Sequence, residues 1–119
     1  GAMAAAFASG HPGAVDGVVF WGAYSAADLS QRSLSVLTVF GARERGRQTY
    51  LSQASRAKLP PDARYVEIAG GNHEQFGYYT GQFMGTLAEV DRETQQAEAV
   101  AATVSLLERV QAIVISRGR

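Results

Sequence analysis

The sequence contains no cysteine, which excludes disulfide bonds and thiolate metal sites. It also has no excess charge, because eleven lysines and arginines balance eleven aspartates and glutamates. A balanced surface offers no electrostatic attraction for nucleic acid or an anionic membrane, so neither is expected as a partner. The two histidines are far apart and the carboxylates are scattered, so neither set has the spacing of metal ligands. We therefore expect no metal and no other cofactor.

Long uninterrupted apolar runs are missing as well. No window approaches the roughly 18 to 20 apolar residues that cross a bilayer, so we expect no membrane segment. Residues 1–8 are small and apolar, but they lack the cationic start and the apolar length of a signal peptide. The expected location is therefore the cytoplasm by default.

The length and composition indicate one small globular domain over residues 1–119. The chain is 46% hydrophobic and only 18% charged, which leans apolar for its size. Partners are therefore expected to be recognised by shape and apolar contact, and part of the apolar surface is expected to stay uncovered.

Helical and strand patterns alternate along the chain. Two continuous β-prone apolar runs predict strands covered on both faces, and a later alternating run predicts a half-exposed edge strand. This order implies a small three-layer α/β fold with three parallel strands and right-handed crossovers. The predicted strands are residues 17–21, 34–40 and 64–68, and the predicted helices are residues 3–9, 45–59 and 91–115.

Two of the predicted helices carry recognisable apolar sides. The helix over residues 45–59 places Leu51, Ala54 and Ala57 on one side and ends at Pro60-Pro61. The last helix has apolar residues at steps of three and four, which is typical of a long amphipathic helix. These residues are Ala97, Val100, Val104, Leu107, Val110 and Val114.

A histidine stands in a glycine turn directly after the last predicted strand. Gly70-Gly71-Asn72-His73 places its imidazole at a loop tip, where a catalytic base is well positioned. Gly41-Ala42-Arg43-Glu44 follows the preceding strand, so its carboxylate is placed to orient that imidazole. Two alternatives remain: His73 as an exposed residue without a role, and Glu44 as one charge of a solvated Arg43-Glu44-Arg45 cluster.

Aromatic residues surround the ends of the predicted strands. Tyr24, Phe76, Tyr78 and Tyr79 are candidates for lining an acyl pocket, with Tyr24, Phe76 and Tyr78 taken as the substrate-binding set. The alternative is that these aromatic side chains pack in or beside the core.

The serine of a Ser-His-acid triad has no counterpart in these residues. No Gly-x-Ser-x-Gly turn occurs in the sequence. Ser25 follows the first predicted strand, but it lacks the strained strand-to-helix turn that exposes a nucleophile. The sequence therefore predicts a base and an orienting acid without their nucleophile.

From Ala4 to Leu107 the chain resembles the carboxyl-terminal half of an α/β-hydrolase of the dienelactone-hydrolase or carboxylesterase-like kind. The histidine of that family follows the eighth strand as Gly-x-x-His-x-x-Phe-Gly, matched here by the segment from Gly70 to Gly77. Its acid follows the seventh strand as Gly-x-x-Asp, where this chain has Glu44. The resemblance implies a serine ester hydrolase fold in which His73 is the base and Glu44 the acid, while the first five strands and the oxyanion-hole loop have no counterpart.

A half domain of this kind leaves the first strand without a neighbour. The backbone N–H and C=O groups at this strand edge would lack partners, and one face of the sheet would be uncovered. Both features favour self-association as a homodimer or higher oligomer, or complementation by a polypeptide with the amino-terminal half and its serine. Two functions stay open: an ester-hydrolysing protein whose nucleophile comes from elsewhere, and a non-catalytic oligomeric remnant or small-ligand-binding module.

Overall fold

A computed structural model of the chain describes residues 2–77 and 86–117. Three strands form one parallel sheet in the order β1 (Gly17–Trp21), β2 (Ser35–Gly41) and β3 (Arg64–Ile68). The central strand β2 is buried along its whole length. The predicted α/β fold with three parallel strands is confirmed.

Helices cover both faces of this sheet. In chain order they are α1 (Ala2–Gly10), α2 (Arg47–Leu51), α3 (Gln53–Arg56) and α4 (Arg92–Ser116), with a 3-10 turn at Glu74–Phe76. The helix α4 begins at an N-cap aspartate whose side chain accepts a hydrogen bond from the Thr94 backbone N–H. The predicted first and last helices are therefore confirmed.

One face of the sheet packs against α1. Val18 and Phe20 from β1 and Val36 from β2 form a buried cluster with Ala5 and Ala8 of that helix. Small alanine side chains allow the helix to lie close to the strands, and alternation along β1 supplies the large apolar partners.

The opposite face packs against α4. Leu37 and Val39 of β2 and Ile68 of β3 meet Ala99 and Leu106 of the helix. Because successive side chains of a strand point to opposite faces, β2 contributes to both clusters and is the centre of the three layers.

The edge strand β1 is less covered than its apolar composition predicts. Val18 and Phe20 are buried, but Val19 and Trp21 on the α4 face are only partly buried. The Trp21 indole N–H donates a hydrogen bond to the Thr103 hydroxyl at 3.0 Å. The prediction of complete burial on both faces is therefore wrong for β1 and right for β2.

The single helix predicted over residues 45–59 is also wrong, because two short helices occupy this segment. Ser52 lies between them in an extended conformation, and its hydroxyl accepts the Ser55 N–H at 3.2 Å. A serine competes in this way with the helical backbone and starts a new helix instead of continuing the old one. Ala54 and Ala57 are exposed, whereas Tyr50 and Leu59 are buried.

The long helix α4 leaves part of its apolar side uncovered. Val100, Val104 and Leu107 are 49%, 45% and 58% exposed. They lie on the side of α4 nearest β1, because the adjoining Thr103 contacts Trp21 of that strand. We call these three residues the α4 stripe.

By length and composition alone, α4 meets the criteria for a helix that crosses a membrane. Its most apolar 18-residue window has a mean hydropathy of 1.5, and 11% of that window is buried. A helix that packs one side on a sheet and leaves an apolar stripe on another meets the same criteria. The absence of a membrane partner stays a prediction.

Replacing the buried ring of Phe20 tests the α1 face of the core. Phe20→Ala is expected to lower the free energy of unfolding by about 3–5 kcal/mol, since the side chain is fully buried and its removal leaves a cavity. Urea denaturation followed by circular dichroism measures the change. Phe7→Ala is the matched control, because the Phe7 side chain is 49% exposed. Equal losses in the two variants would contradict this assignment of the core.

Candidate active site

The carboxyl ends of β2 and β3 bring Glu44 and His73 together. Glu44 lies in the turn after β2, and His73 lies in the loop after β3. Because parallel strands end at the same edge of a sheet, residues 29 positions apart become neighbours, with His73 Nδ1 3.1 Å from Glu44 Oε1.

Three hydrogen-bonding groups surround the Glu44 carboxylate. The Gly41 backbone N–H donates to Oε2 at 2.6 Å, and the Tyr50 hydroxyl donates to Oε1 at 2.8 Å, the oxygen that also faces His73. The Glu44 side chain is only 2% exposed. A carboxylate can be buried when donors replace its hydration shell, and these donors do so here.

The neighbouring arginine does not pair with Glu44. Arg43 donates to the Leu87 carbonyl at 2.8 Å and forms an ion pair with Glu89 at 3.2 Å. These contacts tie the turn after β2 to the segment that precedes α4. The alternative in which Glu44 is one charge of a solvated cluster is therefore wrong.

Tyr50 is the donor that the sequence did not reveal. Burial, followed by the hydrogen bond to the Glu44 carboxylate, raises the pKa of Tyr50 well above its usual value. The phenol therefore stays protonated and keeps donating to Glu44 at neutral and mildly alkaline pH. Phe40 packs against the same ring at a centroid distance of 5.3 Å and fixes its position.

The loop of His73 is held by buried amide groups. Asn72 is buried, accepts the Gln75 N–H through Oδ1 at 3.1 Å, and donates through Nδ2 to the Thr86 carbonyl at 2.8 Å. Gln95 of α4 pairs with the Asn72 main chain on the other side. The imidazole is 48% exposed, but the backbone that carries it is anchored.

Two glycines allow the strand ends to approach the histidine loop. Gly22 has φ +58, and a Cβ atom there would lie 2.8 Å from His73 Nδ1. A Cβ atom at Gly41 would lie 2.7 Å from the Asn72 backbone N. Since these distances are shorter than any carbon contact allows, the meeting of the strand ends with His73 requires glycine at both positions.

The predicted substrate-binding aromatics differ in their surroundings. Phe76 packs beside the α4 face of the core, with its ring centroid 6.0 Å from that of Trp21. Tyr24 is 53% exposed. It lies in the loop that follows β1. Tyr78 and Tyr79 lie outside the described residues.

Two sizeable cavities lie at the other end of the sheet. Their volumes are about 280 and 260 Å³, and both are lined by Asp16, Arg32, Leu34 and Arg117 near the amino ends of the strands. Tyr24 and Phe76 line neither of these cavities.

Among residues 2–77 and 86–117, no group of three or more histidine, aspartate or glutamate side chains could hold a metal ion.

Comparison with known proteins identifies the family of this chain. Residues 1–97 match the family model described as "Alpha/beta hydrolase family". The chain belongs to the α/β-hydrolase family. No curated protein and no solved structure matches it. The predicted α/β-hydrolase relationship is thereby confirmed, whereas the finer dienelactone-hydrolase or carboxylesterase-like kinship stays a prediction.

Sequence reasoning missed three residues that shape the site of this α/β-hydrolase chain. Tyr50 was hidden because its segment was assigned to one long helix with alanines on the inner side. Gly22 follows a strand like many turn glycines, and its closeness to His73 leaves no trace in the sequence. Gln95 was not indicated either, because the apolar steps of three and four along α4 mark a different side of the helix from the buried one, which carries Gln95, Ala99 and Leu106.

Removal of the Tyr50 hydroxyl tests the buried carboxylate cluster of the α/β-hydrolase chain. Tyr50→Phe is expected to lower the free energy of unfolding by about 1.5–3 kcal/mol at pH 7, the value of a hydrogen bond to a charged group. Above the ordinary tyrosine pKa of 10.0 the difference from wild type should shrink, because the unfolded phenol ionises while the folded one keeps its proton.

Urea titrations at pH 7 and above pH 10 measure both effects of this substitution. Tyr24→Phe is the control, since its side chain is half-exposed and the change should alter stability by less than about 0.5 kcal/mol. A Tyr50→Phe variant as stable as wild type at pH 7 would contradict the hydrogen bond to Glu44.

Proposed function

We propose that this chain supplies the general base and its orienting acid to an ester-hydrolysing enzyme of the dienelactone-hydrolase or carboxylesterase-like kind. His73 is the base and Glu44 the acid. The observation that supports this most is the contact of 3.1 Å between His73 Nδ1 and a Glu44 carboxylate that is 2% exposed. A buried carboxylate beside a half-exposed imidazole is the arrangement that proton transfer at the other ring nitrogen requires.

The proposed chemistry uses both ring nitrogens of His73. Nδ1–H donates to Glu44, so Nε2 is the nitrogen that accepts the proton of a serine hydroxyl as its oxygen attacks the ester carbonyl. The imidazolium that forms is stabilised by the Glu44 carboxylate. It returns the proton to the departing alkoxide, which leaves as an alcohol and yields an acyl-enzyme. A water molecule then repeats the same proton transfers and releases the acid.

The serine of this scheme comes, in our proposal, from polypeptide outside these 119 residues. The sequence has no Gly-x-Ser-x-Gly turn, and within residues 2–77 and 86–117 the outer edge of β1 pairs with no strand. A strand paired to β1 would end beside Gly22 and so beside His73, which is the place a nucleophile must reach.

Exposed apolar side chains lie on the helices of both faces of the sheet. On the α1 face Met3 is 87% exposed and Phe7 is 49% exposed, and on the other face lies the α4 stripe. The α4 stripe lies on the β1 side of its helix, so a helix of a continuing three-layer sandwich would cover it. We therefore propose that an amino-terminal hydrolase half binds at the β1 edge and the α4 stripe. The alternative outcome of the test is that a second copy of this chain binds there.

The ester substrate is proposed to lie over the exposed side of His73. Tyr24 is half-exposed and lies two residues after Gly22, the residue at the end of β1 that adjoins His73, so we propose that it contacts an acyl or alcohol group. Tyr78 keeps its proposed role from the sequence. Phe76 contributes by packing behind His73 and Gly22, since a Cβ atom at Gly22 would lie 3.1 Å from its ring.

His73 is expected to be essential for turnover once the nucleophile is present. We expect p-nitrophenyl acetate hydrolysis when the chain is combined with a polypeptide that carries the amino-terminal half of an α/β-hydrolase and its serine. His73→Ala should lower kcat by about 10²–10⁴-fold, the contribution of a general base. Glu44→Gln should also lower kcat, because an amide cannot stabilise the imidazolium that forms.

The control for this assay is His11→Ala, which removes the other histidine of the chain. His11 is exposed at the end of α1 and stacks on Phe7, away from Glu44. Turnover that survives His73→Ala at the level of the His11→Ala control would overturn the proposed function.

The open edge of β1 is expected to bind the nucleophile-bearing half in a 1:1 complex. Light scattering after size exclusion should show that complex, and Leu107→Glu should weaken it by about tenfold or more, since it places a charge within a buried apolar contact. Ile115→Glu is the matched control, because Ile115 is 62% exposed near the far end of α4 and outside the stripe.

If the chain alone forms a dimer and Leu107→Glu dissociates it, the proposal that an amino-terminal hydrolase half binds this face is contradicted. The same face would then be assigned to a second copy. Without His73-dependent turnover, that result would favour the non-catalytic oligomeric protein over the hydrolase.

A further inference from the structure

We infer that Gln95 is a positioning residue. It holds His73 against Glu44 by forming hydrogen bonds with the backbone N–H and C=O groups of Asn72. Gln95 lies in the first turns of α4 and is fully buried. It belongs neither to the proposed catalytic pair nor to the apolar core. The inference rests on the proposed function for its catalytic consequence, whereas its structural consequence can be measured separately.

The Gln95 amide makes two hydrogen bonds to the same residue. Its Oε1 accepts the Asn72 backbone N–H at 3.1 Å, and its Nε2 donates to the Asn72 carbonyl at 2.6 Å. A primary amide that pairs with both polar groups of one residue imitates a neighbouring strand. The main chain is thereby fixed one residue before His73, where a small rotation would move the imidazole most.

A second amide joins this pair. Gln75 donates through Nε2 to Gln95 Oε1 at 2.8 Å and to the Val90 carbonyl at 2.8 Å. Gln75 lies two residues after His73, so anchored residues stand on both sides of the histidine. The loop of His73 is therefore clamped to α4 and to the segment before it.

Burial makes the hydrogen bonds between Gln95 and the Asn72 main chain hard to replace with water. Asn72 is also buried, so its N–H and C=O groups would lose their partners if Gln95 were apolar, with no direct access to water. An unpaired buried peptide group is costly, so the loop would move to reach solvent and carry His73 away from the Glu44 carboxylate.

The chemistry of a base explains the need for such a clamp. The imidazole is 48% exposed, and on its own one hydrogen bond to Glu44 would leave the ring free to rotate. Proton transfer loses efficiency steeply when a base is misplaced by about 1 Å. An anchored backbone keeps Nδ1 on Glu44 and Nε2 toward the substrate without burying the ring.

The ring tautomer of His73 is the readout that separates positioning from general stability. Nitrogen-15 NMR of the full chain reports the ratio of Nδ1–H to Nε2–H imidazole, and Nδ1–H is the form that donates to Glu44. Gln95→Met keeps nearly the same size but loses all the hydrogen bonds. We expect this variant to lower the ratio by about two- to tenfold, the effect of losing one net hydrogen bond.

Two further variants complete the comparison. Gln111→Met changes the same residue type at an exposed position of α4 and should leave the tautomer ratio unchanged. Gln95→Asn keeps the amide but shortens its reach by one carbon, and it serves if Gln95→Met does not fold. Glu44→Gln gives the ratio expected when the carboxylate itself is lost.

Enzyme assays of the complemented chain supply the second readout. Gln95→Met should lower kcat by about 10–100-fold and change KM by less than about twofold, because the base is displaced while the substrate contacts remain. An unchanged tautomer ratio and an unchanged kcat in a folded Gln95→Met variant would overturn the inference and leave the proposed function intact. If turnover does not depend on His73 at all, the proposed function fails, and the tautomer ratio still decides the role of Gln95.

Discussion

The buried carboxylate of Glu44 is the constraint around which this end of the molecule is organised. A charged side chain that is 2% exposed must receive hydrogen bonds, and three elements supply them: the end of β2, the helix α2 and the loop after β3. If any of the three moved away, the carboxylate would lose a donor without gaining water. The same interaction therefore joins the strand ends and orients His73.

The glycines and amides at this edge follow from that requirement. The His73 loop reaches Glu44 only if the backbone approaches the ends of β1 and β2, and side chains at Gly22 and Gly41 would prevent this approach. A loop so close to the sheet buries its own peptide groups, and Gln95 satisfies those of Asn72. Precise placement of an exposed imidazole thus depends on buried polar groups behind it.

Much of the fold could be predicted from local patterns. The runs 17–21 and 64–68 coincide with β1 and β3, and β2 is displaced by one residue from its predicted range. In chain order, the first two of these segments are continuous β-prone runs and the third alternates between polar and apolar residues, so period and propensity agree there. Prediction failed at residues 45–59, where a serine that looked neutral within a helix caps a new one.

The candidate site was predictable only in part, for a similar reason. His73 and Glu44 follow strand ends in glycine turns, and parallel topology places such ends at one edge. Their partners come from other parts of the chain: Tyr50 from a segment whose pattern predicts one long helix, and Gln95 from a side of α4 that its apolar steps of three and four do not mark. Contacts between residues far apart in sequence have no period that a single sequence can display.

The sequence by itself determined the parallel α/β order, the histidine and the carboxylate at neighbouring strand ends, and the lack of a Gly-x-Ser-x-Gly turn among these residues. Each of these depends on local composition and on the rules of strand connection. Only the tertiary structure decided that Glu44 is buried, that Tyr50 and Gln95 support the site, and which side of α4 stays exposed. Burial and hydrogen-bond partners arise from packing between distant segments, so they are settled only when the whole sheet and its helices are assembled.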